Sequence, residues 1–75
     1  MSRLTGFSGR EVARVARLQG WTPSRTRGSH MTYERAGDPL NLTIPDHSSV
    51  KEGTLRRLLA IMDMTISEFL AVARK

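Results

Sequence analysis

Apolar positions along the 75-residue chain change their period twice, from helical to alternating and back. Projected at about 100° per residue, Val12 and Val15 fall opposite Arg10, Arg14 and Arg17. This predicts a first helix with one core face and one row of arginines. Ser8-Gly9-Arg10-Glu11 supplies a capping box at its start, and Gly20 a left-handed stop after about Gln19. Trp21–Thr26 reads as a strand, in which Pro23 demands an edge position or a late start at Ser24. Gly28 permits the turn into His30–Arg35. There Met31, Tyr33 and Arg35 point one way and His30, Thr32 and Glu34 the other, the pattern of a strand with one covered face. His30 is thus expected on the open face.

Ala36-Gly37-Asp38-Pro39 is turn chemistry, and Leu40, Leu42 and Ile44 then alternate with Asn41 and Thr43 as a third strand ended by Pro45. The helical period returns at Leu55, Leu58, Leu59 and Met62. That second helix begins between Ser49 and Gly53, either with a capping box of Ser49 and Glu52 or with Gly53 as its start. Asp63-Met64 marks a stop. Thr65-Ile66-Ser67-Glu68 is a further capping box, and Ile66, Phe69, Leu70 and Ala73 give a short last helix its stripe. The order predicts an α+β domain spanning 1–75: a three-stranded antiparallel meander with helices on one face, α-β-β-β-α plus a short C-terminal helix.

Composition narrows the partners. Without cysteine there are no disulfides or thiolate-rich zinc sites. No apolar run approaches the ~18 residues of a membrane span, and no signal-peptide core is apparent, so a soluble cytoplasmic protein is expected. The net charge is +5, and ten of the twelve cations are arginine, whose planar fork suits phosphate oxygens. Nucleic acid is the partner class this favours. Lys51, at the start of the second helix, is the leading phosphate contact, because helix N-termini present free N–H groups to anions. Arg25 and Arg27 flank His30 and would reach phosphates lying on the open sheet face.

Three motifs carry a resemblance. Gly28-Ser29-His30 opens the second strand. Ile44-Pro45-Asp46-His47 is followed by Gly53-Thr54-Leu55-Arg56 at a helix start, and Thr65–Phe69 with Leu70 closes the chain. In this order and spacing, from Ser8 to about Leu70, the sequence resembles the HicA-type mRNA interferase toxins. The resemblance implies a double-stranded-RNA-binding-domain-like fold, cleavage of messenger RNA, and neutralisation by a HicB-type antitoxin, here expected to cover the His30 face. It also implies that His30, the histidine of the Gly-Ser-His motif, is catalytic. Asp63 departs from the family pattern, standing where a glycine is usual.

RNA is cleavable without metal or other cofactor, because its own 2′-hydroxyl can attack the adjacent phosphate. An imidazole, with an ordinary pKa near neutrality, suits either proton transfer. His47 is a second proton carrier, a phosphate contact, or an uninvolved loop residue. Ser29 is an RNA contact rather than a nucleophile, since no acidic residue is placed by sequence to orient His30. No histidine spacing supports a metal site. Trp21 and Tyr33 could stack bases, although Trp21 after a helix stop suits the core. The alternative function is a non-catalytic RNA-binding module. A helix-turn-helix DNA binder fits poorly, because the helix from Thr54 to Met62 shows an apolar stripe rather than a row of base readers.

Overall fold

The computed structural model describes residues 4–75; residues 1–3 of the expected domain lie outside the described residues. The order is α1 (Gly9–Leu18), β1 (Thr22–Arg27), β2 (His30–Glu34), β3 (Leu42–Pro45), α2 (Glu52–Met62) and α3 (Ile66–Ala73). The strands form one antiparallel sheet in the order β1-β2-β3, the expected meander. Tyr33, Leu42 and Ile44 on its covered face share a single apolar cluster with Val12 and Val15 of α1, Leu55 and Leu59 of α2, and Phe69 of α3. Phe7, just before α1, meets Phe69 edge-to-face at 5.0 Å between ring centroids.

Local chemistry sets most boundaries where the sequence puts them. The Ser8–Glu11 and Thr65–Glu68 capping boxes both form. Asp63 takes the left-handed conformation, φ 57°, and the Met64 N–H donates to the Leu59 carbonyl, so an aspartate ends α2 as a glycine would. Pro23 lies on an edge strand beside a register irregularity at Ser24.

Several expectations shift, among them the strand ends: β1 runs on to Arg27 rather than stopping at Thr26, and β2 stops at Glu34 rather than Arg35. The first strand begins at Thr22 rather than Trp21, because the Trp21 N–H donates to the Ala16 carbonyl at 3.0 Å and closes the end of α1. The third begins at Leu42 rather than Leu40. The Asp38 carboxylate accepts from the Leu40 N–H at 3.0 Å and holds that residue in the turn. No Ser49–Glu52 capping box forms; Lys51 is the N-cap of α2 and makes no side-chain cap bond. Here tertiary hydrogen bonding outweighs the local motif, for the Val50 N–H donates to the Phe7 carbonyl at 2.8 Å and the Val50 side chain is buried.

Arg35 fastens the base of the sheet to α1. Its guanidinium lies 4.6 Å from the Trp21 ring centroid, donates to the Gln19 carbonyl and pairs with Asp38 at 3.1 Å. The Leu40 N–H, then the Arg35 guanidinium, hold the Asp38 carboxyl below its ordinary value.

The loop from Asp46 to Lys51 is tied on three sides. The Asp46 N–H donates to the Ser29 carbonyl at 2.6 Å, the Gly9 N–H to the His47 carbonyl at 2.9 Å, and Val50 to Phe7 as described. Gly9 permits this closeness. A Cβ there would collide with the Pro45 carbonyl oxygen and lie 3.0 Å from the Asp46 Cα. At an open helical site Gly→Ala gains up to ~1 kcal/mol from helix propensity. Here the clash is with backbone, which cannot swing aside, so overpacking of ~1–3 kcal/mol prevails. Gly9→Ala is therefore expected to lower the urea midpoint. Gly53→Ala, with nothing within 4 Å of the added carbon, should leave it unchanged or raise it. Equal effects of the two changes would show that the loop does not depend on the contact at Gly9.

Candidate active-site groove

Strand register determines what shares a face with His30. In the antiparallel ladder Arg27 pairs with His30 and His30 with Pro45, while Arg25 pairs with Thr32 and Thr32 with Thr43. Directly paired residues project to the same side of a sheet. Arg25, Arg27, His30, Thr32 and Thr43 therefore share the face turned away from the core. His30 is exposed, whereas Tyr33, on the opposite face, is buried.

Beside this face a groove of about 560 Å³ runs between β3 and α2. Its strand side carries His30, Thr43 and Asn41, the loop adds His47, and α2 lines the other wall. His30, His47 and Lys51 thus meet around one cavity, although the sequence separates them by up to 21 positions. The three loop ties explain how. The Asp46–Ser29 hydrogen bond joins the residue before His47 to the residue before His30, and the same loop delivers Lys51 to the start of α2. Ser29 itself lies exposed in the turn, its carbonyl occupied by Asp46. Arg25 and Arg27 are exposed on β1, on the shared face but outside the groove's lining.

The cations divide into two sets. Arg10 pairs with Asp46 at 3.4 Å, Arg35 with Asp38 and Arg56 with Glu52, each at 3.1 Å. Arg14 donates to the Ala73 carbonyl at the end of α3, and Arg17 lies over the Tyr33 ring. Among the described residues, the side chains of Arg25, Arg27, Lys51, Arg57, Arg74 and Lys75 have no such partner; the last two end the chain, and the other four belong to the His30 face or its groove. Cations with no internal partner keep their full capacity for an external anion.

Arg57, Thr54, Asn41 and Thr43 are groove residues that the sequence reading did not single out. A signal existed: Lys51, Thr54, Arg57 and Ile61 recur at helical spacing beside the apolar stripe. Trp21 and Tyr33 are buried, 1% and 3% exposed, and are not available to stack bases. No group of three or more His, Asp or Glu side chains stands together in a way that would hold a metal ion among the described residues.

The model of one protein family, described as the HicA toxin of bacterial toxin–antitoxin systems, matches residues 9–64. This span runs from the start of α1 to just past the end of α2 and includes every residue of the groove. No curated protein and no solved structure matches the chain.

The two sets of cations should behave differently toward a polyanion. Lys51→Ala and Arg57→Ala are expected to elute from immobilised heparin at clearly lower salt than Arg56→Ala. Each removes one positive charge, but Arg56 is already engaged by Glu52. Identical shifts for all three would mean that net charge alone, not the groove, governs binding.

Proposed function

The chain belongs to the HicA family of bacterial toxin–antitoxin toxins, and from that membership we propose that it is the toxin of a type II system and cuts messenger RNA without a metal ion, using His30 for proton transfer. The observation that carries this reading is an exposed histidine beside a groove whose cations have no internal partner.

The chemistry follows from the substrate. The 2′-oxygen attacks the adjacent phosphorus as its proton is removed, forming the O2′–P bond. The P–O5′ bond then breaks as a proton reaches the departing oxygen. The products are a 2′,3′-cyclic phosphate and a 5′-hydroxyl. His30 carries one of these protons, and His47, lining the same groove, is the candidate for the other. Lys51 and Arg57 oppose the charge that builds on the phosphoryl oxygens. Arg25 and Arg27, on the same sheet face, hold the flanking backbone, and Ser29 contributes a contact at the turn. A double-stranded-RNA-binding domain uses its second helix start toward phosphate in a similar way, an analogy of fold that fits the role given to Lys51.

Family membership brings an antitoxin partner. We take it to be of the HicB type and to act by covering the His30 groove with an acidic surface, since complementary charge speeds and orients association. The protein would meet its RNA in the cytoplasm. No helix among the described residues is long and apolar enough to cross a membrane.

Two measurements test the reading. His30→Ala removes an exposed ring, so stability should change by less than ~0.5 kcal/mol and RNA affinity little. Cleavage should fall by at least ~10²-fold, the usual contribution of positioned proton transfer. A folded variant that cuts at the original rate removes His30 from the chemistry; wild-type protein that binds RNA but never cuts it is a binding module. In EDTA, cleavage should continue and leave cyclic or 3′-phosphate ends with 5′-hydroxyls. Arrest by the chelator, reversed by magnesium, would point to metal-activated water instead.

A further inference from the structure

The groove is not uniform along its length, and the gradient specifies more than a phosphate site. The loop 46–51 joins β3 to α2, and residues from the start of one and the end of the other, Asn41 and Ile61, line the same groove. From Asn41 to Pro45 the strand wall spans roughly 13 Å at the ordinary rise of a strand. From Lys51 to Ile61 the helix wall spans about 15 Å at the ordinary rise of a helix. At the loop end stand His30, His47 and Lys51. Counted along the chain, Asn41 and Ile61 are the lining residues furthest from that loop on their two walls, with Thr43, Arg57 and the buried Leu58 between. One end is thus cationic and the other apolar with a single amide.

The amide is unclaimed. Asn41 is exposed, precedes the first residue of β3, and its side chain makes no hydrogen bond among the described residues. Ile61 is half-buried, packing against the core cluster while also lining the groove. An apolar surface beside a free amide suits a flat aromatic ring whose edge carries donors and acceptors. Asparagine offers both an acceptor and a donor pair, which allows a two-point contact to a base edge.

We propose that the Asn41–Ile61 end of the groove is a base-binding subsite that reads one unpaired nucleotide beside the cleaved phosphate, with Asn41 as the specificity-determining residue. The inference rests on the reading of this groove as an RNA-cleaving site. The distance fits, because both ends belong to one cavity short enough for adjoining parts of one strand. The nucleotide is unpaired because a base inside a duplex has its Watson–Crick edge occupied and its faces stacked, leaving neither for the amide or the apolar wall.

The test uses four short single-stranded RNAs that differ only in the nucleotide next to the cut position. Wild-type protein should show unequal kcat/KM across the four. Asn41→Ala should compress the spread by at least ~5-fold, the low end of what a two-point base contact supplies. Thr43→Ala, the second exposed position on the same wall, should narrow it less. A parallel series measures equilibrium binding of the same RNAs to His30→Ala protein, where Asn41→Ala should again flatten the preference. Uniform kcat/KM and uniform binding in the wild type overturn the subsite, as does an unchanged spread in Asn41→Ala. The two readings fail separately. A flat base profile with cleavage still dependent on His30 removes the subsite alone. A base preference sensitive to Asn41 in binding, with cleavage indifferent to His30, removes the catalytic assignment alone.

Discussion

The loop that brings His47 and Lys51 to the His30 side depends on the absence of a side chain at Gly9. Because that position presents only hydrogen, the first turn of α1 comes into backbone contact with the end of β3, and the Gly9 N–H reaches the His47 carbonyl. The contact does what an ordinary capping side chain does for a helix start, and it also anchors a connection that carries functional candidates at both ends. With Asp46 tied to Ser29 and Val50 tied to Phe7, the connection has little freedom to rearrange without losing backbone hydrogen bonds in a partly buried setting. His47 and Lys51 owe their positions to main-chain bonds, which hold whatever their side chains do. A site built this way can expose its reactive groups to solvent while keeping the scaffold beneath them rigid.

The arginine excess divides by location. On α1 and at the base of the sheet, arginines serve the fold: one stacks on Trp21, one lies over Tyr33, one closes the end of α3 and one braces Asp46. The exposed Arg10–Asp46 pair contributes little by itself, whereas Arg35 lies part-buried against Trp21. Stacking on a ring or donating to a carbonyl leaves a guanidinium charged, so these arginines differ from the groove cations in being engaged by the fold, not in being neutral. Net charge alone would not have separated the two sets.

Much of this was legible in the sequence, and the failures have physical causes. The capping boxes at Ser8 and Thr65 were readable because each is a local motif whose partners lie three residues apart. The alternation from His30 to Tyr33 gave the correct face for His30, since one buried tyrosine determines the register of the whole strand. The Ser49–Glu52 box was misleading because a long-range bond from Val50 to Phe7 competes with it, and no local pattern announces such a bond. Leu40 looked like a strand residue until its N–H was taken by Asp38. Arg57, Thr54 and Asn41 went unnoticed for a different reason. They become neighbours only when α2 folds back along β3, and nothing in their own spacing reveals which wall faces which.

The first strand has a consequence for how these molecules coexist in solution. All six residues of β1 are exposed, and its outer edge offers unpaired backbone groups that a second chain could join. Pro23 withholds one donor, the irregularity at Ser24 bends the edge, and Arg25 and Arg27 add repelling charge. The arginines that flank His30 therefore also guard against strand-to-strand association between copies. Under the proposed function, colloidal stability and grip on RNA are joined in the same two side chains, and selection acting on either one constrains the other.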